Sequence, residues 1–482
     1  MSEISASIIY APSLYWFAYR YCEGLVVAKG DKPQPLASID WVEDRYCDIL
    51  VAFDVPPTFK LRSDRPSRHY DLLQTEEPAT NRQYEYFTTP DEQLEGFLYP
   101  QRLHDTYALN FNIFRPENPG NDSYRVGDLA KFNPKNCFQP PSEPPLGYLG
   151  QTLLLSAYLA EPRPKNPRKL DDLARQCWLD FFQVETPETF PSLYRVRPLF
   201  GGYLYEYGNP KADVTENPYG HLLVWLLFDD APTVLMEKCY WELPELLLYY
   251  HKISQSFRDS RTFYNNADRI VTENEIDLNQ LKAKYLDRET GGTLSVADLR
   301  TLQSTLKTLM KTALTYSQQL RNLEYARNTI AINTKNYQTT LDRAEQLAQH
   351  PLEALRVFHH KEAIAFQDQI SADLNYFKQG TALLDTAINS IRGLVDIDRA
   401  DRDRNLQNTI AIVGVGLGFA AVGSTISPFL INEERDRELV SEYWQPFGAA
   451  LLLSLVFAGV GIVVGGILAK LIQKWHDKRD RD

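Results

Sequence analysis

Residues 409–431 read TIAIVGVGLGFAAVGSTISPFLI, and residues 447–469 read FGAALLLSLVFAGVGIVVGGILA. Each is an uncharged run of 23 residues. About 20 consecutive apolar residues span the hydrocarbon core of a bilayer, so both runs are predicted transmembrane helices. A 15-residue linker, 432–446, joins them. Both lie near the C-terminal end, so neither reads as a signal peptide.

The flanks orient the pair. Arg392, Arg399, Arg402 and Arg404 precede the first run, and Lys470, Lys474, Lys478, Arg479 and Arg481 follow the second. In the linker, Arg435 and Arg437 face five acids: Glu433, Glu434, Asp436, Glu438 and Glu442. The positive-inside rule predicts cytoplasmic termini on both sides and an external linker. Trp444 and Trp475 fall just beyond the two ends of the second run, as interfacial aromatics do.

Outside these runs the chain looks like a soluble protein. It has 482 residues, a formal charge of −12 and 24% charged residues. Its mean hydropathy is −0.37. The acidic balance argues against nucleic-acid binding, which needs a basic face. Composition excludes a collagen-like or wholly disordered chain.

The distribution is uneven. Of 29 prolines, 25 lie in residues 1–240, and Pro351 alone lies in 245–400. All five cysteines, Cys22, Cys47, Cys137, Cys177 and Cys239, lie in the first part and are expected to be reduced, buried apolar residues. Residues 1–243 are therefore predicted to form a mixed α/β cytoplasmic domain. Its short apolar stretches, such as 7–10, 46–53, 153–159 and 221–228, are separated by turn signals.

Residues 244–404 are predicted to be a long-helix, coiled-coil-like stalk. From Leu299 the apolar positions step by three and four: Leu302, Leu306, Leu309, Ala313, Tyr316, Leu320 and Leu323. Weaker positions follow at Ile330, Tyr337, Leu341, Ala344 and Ala348. Gly291 and Gly292 interrupt the helix before this one, and Pro351 opens the next. A helix over 292–349 would be on the order of 85 Å long. Packing within a hairpin or bundle is favoured over a free-standing dimeric coiled coil. Residues 405–482 form the third region, the membrane hairpin and its basic tail. The fold class is thus α+β with two C-terminal transmembrane helices.

Gly416-x-Gly418-x-x-Ala421 has the spacing of a dinucleotide-binding turn. That motif needs an amphipathic helix after it, whereas here the apolar run continues to membrane length. The glycine pairs Gly414 with Gly418, and Gly461 with Gly465, fit close packing of membrane helices. No phosphate-binding loop, metalloprotease, hydrolase-elbow or zinc-ligand spacing is found, so no enzyme is expected and no catalytic residue is assigned. His359, His360 and Glu362 share a helix without a partner pair at metal-ligand spacing, and are expected to be solvated or at an interface.

This layout resembles the CorA family of divalent-cation channels. The residues that carry the likeness lie in 352–482. A buried stripe, Phe366, Ile370, Phe377, Leu384, Ile388, Ile391 and Val395, approaches the first run. An acidic linker ends in Tyr443-Trp444-Gln445-Pro446-Phe447, and a basic tail follows. Where that family carries Gly-Met-Asn, residues 424–430 here read STISPFL. The resemblance implies a homopentamer in the lipid bilayer whose first membrane helices line a pore. It also implies Mg2+ or another divalent cation as transported or regulatory ion.

On that reading the most polar and small-residue face of the first helix is Asn405, Thr409, Ile412, Gly416, Gly423 and Ser427. The same small residues would serve helix packing in lipid. Glu433 and Glu434 would ring the outer mouth, or form a solvated acidic loop. The mixed-charge run 396–404 fits ion pairs at an interface. The large N-terminal domain is expected to sense a cytoplasmic ligand or ion that the sequence does not identify. A non-conducting membrane-anchored sensor or scaffold, and a ligand-triggered membrane-permeabilising effector, are the alternatives.

Overall fold

The computed structural model describes residues 7–23, 25–26, 34–35, 37–62, 69–74, 83–116, 123–159, 167–212, 215–228, 231–281, 283–284 and 295–399. Among them no helix is long and apolar enough to cross a membrane. Both uncharged runs, 409–431 and 447–469, lie outside the described residues.

The N-terminal part is built on one eleven-stranded sheet. In chain order its strands are β1 (Ile8–Tyr21), then, after the short pair β2 (Leu25–Val26) and β3 (Gln34–Pro35), β4 (His69–Asp71), β5 (Glu85–Thr88), β6 (Glu95–Leu98), β7 (Gln101–Leu103), β8 (Thr106–Phe114), β9 (Ser123–Arg125), β10 (Tyr148–Tyr158), β11 (Leu193–Leu199), β12 (Gly202–Tyr207) and β13 (His221–Leu227). The spatial order is β11-β12-β13-β10-β1-β8-β6-β5. All its pairings are antiparallel except β10 with β13, which run parallel with Thr152 opposite His221.

The central strands are buried on both faces. On one face, Trp16 of β1, Phe111 of β8, and Leu153 and Leu155 of β10 join a core with α1 (Asp40–Ala52) and α2 (Pro167–Phe181). Trp178 of α2 is fully buried there. Alternation along a strand sends the neighbouring side chains to the other face. There Tyr15 and Phe17 meet Tyr240, which follows α3 (Ala231–Cys239), with ring centroids 5.4 and 6.4 Å apart. On the same face Tyr19 donates to the carbonyl of Pro244 in α4 (Leu243–Leu281) at 2.8 Å. Two asparagines inside β8 donate to backbone carbonyls: Asn110 Nδ2 to that of Tyr99 at 2.8 Å, and Asn112 Nδ2 to that of Leu14 at 3.1 Å.

Three long helices follow: α4, α5 (Val296–Ala348) and α7 (Ile364–Arg399). Short α6 (Glu353–Val357) leads into a π-helical turn, Phe358–Ala363, that opens α7. The predicted seam of α5 is buried at Leu302, Leu306, Leu309, Ala313, Tyr316 and Leu323, with Leu299 and Leu320 half-buried. The helix starts at Val296, four residues later than the spacing predicts, and ends at Ala348 rather than Gln349. Gly291 and Gly292 lie outside the described residues. Along α7 the buried positions are Phe366, Ile370, Asp373, Phe377, Gly380, Leu384, Ala387 and Ile391, an unbroken alternation of fours and threes. Ile388, expected in that stripe, is half-buried beside it, and the side chain of Val395 is not described.

The chain divides into two compact units: Met1–Asn266 with Gln319–Tyr376, and Ala267–Gln318 with the described residues from Phe377 on. In the first, Phe257 of α4 stacks on Phe366 of α7 with centroids 4.0 Å apart, and Tyr337 of α5 lies 5.4 Å from Phe358. In the second, the Tyr316 hydroxyl of α5 donates to the Phe377 carbonyl of α7 at 2.7 Å. Gly380 lets the helices approach closely there: a Cβ on it would lie 2.5 Å from the Tyr316 oxygen and 2.9 Å from Val271.

Candidate functional site

The pore-face residues Asn405, Thr409, Ile412, Gly416, Gly423 and Ser427 lie outside the described residues. So do Glu433 and Glu434, and the packing glycines Gly414, Gly418, Gly461 and Gly465. The site that the described residues build is in the first unit, where the parallel strands β10 and β13 begin against α4.

The pairing of Thr152 with His221 places both side chains on the α4 face of the sheet. His251 of α4 lies over them. Thr152 Oγ1 is 2.8 Å from His251 Nε2 and 3.0 Å from His221 Nδ1. All three residues are buried, Thr152 completely. His221 stacks on Tyr250 with centroids 4.3 Å apart. Its Nε2 lies 3.2 Å from Glu206 Oε1 of β12. Glu206 also pairs with Arg195 of β11, Nε to Oε2 at 3.4 Å. Arg195 in turn bridges to Glu362 in the π-helical turn, which also accepts from the Tyr194 hydroxyl at 3.2 Å.

The electrostatics follow from burial. Burial holds His251 well below the usual histidine pKa, and the neighbouring His221 and Arg258 push the same way, so His251 is neutral. Burial opposes the Arg195 charge, but the carboxylates of Glu206 and Glu362 outweigh it and raise its pKa.

Beside His251 opens a cavity of about 770 Å³, lined by the loop before β10, the loop between β12 and β13, and α4. Three of its lining glycines, Gly150, Gly208 and Gly220, hold φ values of +132°, +94° and +78°. Such values suit glycine alone among common residues. At Gly150 a Cβ would also come within 2.7 Å of His251 Nδ1. Lys211, Arg258 and Arg261 supply positive charge to the lining, and Glu216 and Asp259 negative charge. Burial raises the Asp259 pKa against the bond from Gln255 and the field of Arg258. Arg258 Nη1 donates to the Pro210 carbonyl at 3.1 Å and so ties the β12–β13 loop to α4.

His359 and His360 adjoin each other in the π-helical turn, His359 half-buried and His360 exposed, while Glu362 is the interface residue, fastened to β11. Among the described residues no group of three or more His, Cys, Asp or Glu is placed to hold a metal ion. Cys22, Cys177 and Cys239 are buried as expected, whereas Cys47 and Cys137 are only partly so; all five are free thiols.

No family model matches the chain, and no curated protein matches it. Among solved structures it is similar to the CorA magnesium transporter of Methanocaldococcus jannaschii, with 15% identity and a TM-score of 0.18. That similarity covers 66% of this chain and 90% of the other and is weak.

The sequence reading missed the Thr152–His221–His251 cluster. Its signal was a polar residue near the start of each of two otherwise apolar strands, QTLLLSAY and HLLVWLL, at 151–158 and 221–227.

Proposed function

We propose that this chain is an oligomeric, two-span membrane protein of the CorA type: a cation channel or transporter, not an enzyme. Its N-terminal sheet domain acts as a cytoplasmic sensor that biases a pore lined by the first membrane helix. One observation carries the reading. Two uncharged 23-residue runs, flanked by basic residues on one side and joined by an acidic linker on the other, follow a long helix with a heptad-spaced buried stripe. Bundle-forming helices ahead of paired spans suit self-association around an axis, and a ring of Glu433 and Glu434 would concentrate cations at the outer mouth. Magnesium or another divalent cation is the proposed cargo, and a homopentamer the proposed assembly.

A second reading is favoured by one feature of the sequence. Residues 424–430, STISPFL, replace the family's Gly-Met-Asn, which suits an anchored sensor that does not conduct, or one that leaks only when its ligand binds. Flux separates the two. Purified protein of verified oligomeric state, reconstituted in liposomes, is expected to pass Mg2+ or Ni2+ above protein-free controls. No flux of Mg2+, Ni2+, Na+ or K+ would overturn the channel reading, and flux that appears only with an added cytosolic ligand would establish the effector.

A further inference from the structure

The hydrogen-bonded chain beside the cavity has a direction. A carboxylate only accepts, so His221 Nε2 carries the proton that faces Glu206. In neutral His221, Nδ1 is then an acceptor and takes the Thr152 hydroxyl proton. Thr152 Oγ1 must accept from His251 Nε2. Neutral His251 therefore holds a lone pair on Nδ1, the atom over Gly150 in the cavity lining.

The lining carries three basic side chains against two acidic ones. The basic ones are Lys211, Arg258 and Arg261. Both acids, Glu216 and Asp259, are exposed; Asp259 accepts from Gln255 at 2.8 Å, and partial desolvation of its carboxyl raises its pKa. Arg261 shares its charge with the buried Asp373 of α7. An oxyanion placed among these cations repels the lone pair of His251 Nδ1 and favours a proton there.

We propose that this cavity binds a small phosphorylated ligand, held by Lys211, Arg258 and Arg261, and that binding draws one proton onto the His251–Thr152–His221 relay. The proton comes from the surrounding buffer and bonds to His251 Nδ1. The Nε2 proton of His251 passes to Thr152 Oγ1, and the hydroxyl proton passes to His221 Nδ1. His251 ends neutral, and His221 ends as an imidazolium.

The surroundings of His221 suit that charge. Glu206 from β12 faces it, and Arg195 from β11 and Glu362 from the π-helical turn lie beyond. These two acids and one arginine carry a net negative charge that an imidazolium cancels. From α4, the Tyr250 ring stacks on it, while His251 and, through His251, Arg258 oppose it. Tyr194 and Tyr337 complete the setting of Glu362 and Arg195. A charged His221 competes with Arg195 for Glu206, which leaves Arg195 to Glu362 and so passes the event to α7.

This inference rests on the sensing role proposed above but is read by binding, not by flux. Full-length protein in detergent is titrated calorimetrically with ATP and, separately, with pyrophosphate, without metal, at pH 7 in buffers of different ionisation enthalpy. Saturable binding with net proton uptake is expected for at least one probe. Lys211→Gln and Arg258→Gln are each expected to weaken it about tenfold or more, the scale of a lost charge-assisted contact. Thr152→Val should bind with the proton uptake abolished; His221→Gln serves if that variant does not fold. No binding of either probe by folded protein, binding indifferent to both cation variants, or uptake that survives the loss of Thr152 or His221 would overturn the proposal. A protein that conducts but binds neither probe refutes this inference alone; one that binds but does not conduct refutes the channel alone.

Discussion

His251 shows how one side chain ties the sheet domain to pH. Its pKa is lowered on folding, so the folded protein resists a proton that the unfolded chain accepts. Stability is therefore fully present above the unfolded value of about 6.5 and falls as pH drops from there toward the folded value. This single group contributes a slope of at most about 1.4 kcal/mol per pH unit in that window. Thermal unfolding followed from pH 7.5 to 5.5 is expected to show a falling midpoint, with a shallower slope in His251→Gln. An equal slope in the variant would assign the effect elsewhere. The cysteines offer a second check. Burial pushes the Cys177 thiol up to about 12 and that of Cys239 to about 11, while Cys47 lies partly open on α1. A maleimide at pH 7 is expected to label Cys47 first, and Cys177 and Cys239 only after denaturation. Little of this was legible in advance. The parallel pairing of β10 with β13 brings Thr152 to His221, 69 residues away, and α4 lays His251, 99 residues from Thr152, over them.

At the scale of elements, the helices were the legible part. The three-four spacing in α5 depends on local repetition alone, and its buried positions follow it. The sheet was not legible, because its neighbours are distant in sequence: β1 lies between β8 and β10, and β10 pairs with β13. The seam of α7 contains two residues that no hydropathy pattern selects, Asp373 and Gly380. Asp373 is explained by Arg261, which reaches it from α4 and stacks 5.0 Å over Phe257. Gly380 is explained by contact. Alanine at a helical glycine ordinarily adds about 0.5–1 kcal/mol of stability. Gly393→Ala, with nothing within 4 Å of the new methyl, is expected to show that gain. Gly380→Ala is expected to lose stability by about 1–3 kcal/mol, because Tyr316 and Val271 must be displaced. Chemical denaturation of the two variants side by side checks the opposite signs.

For the whole molecule, the overall charge of −12 and the mean hydropathy of −0.37 describe a water-soluble protein, and the two apolar runs contradict them locally. Averages hide such runs because the runs fill only a small share of the chain. The contrast predicts a clean partition. After alkaline carbonate extraction, full-length protein should remain with the membrane pellet, and a chain ending at Arg404 should be released. Release of the full-length chain would remove the basis for the membrane reading.

The division into units has a consequence for biosynthesis. The first unit takes in Met1–Asn266 and then Gln319–Tyr376, so it stays open while more than a hundred intervening and later residues are translated. Glu362, which fastens Arg195 and Tyr194, emerges near the end of that interval. Domains generally fold as units during synthesis. Here the sheet domain gains its last partners only shortly before the first apolar run leaves the ribosome. On the membrane reading proposed above, completion of the first unit and delivery to the membrane would fall within the same few seconds of translation.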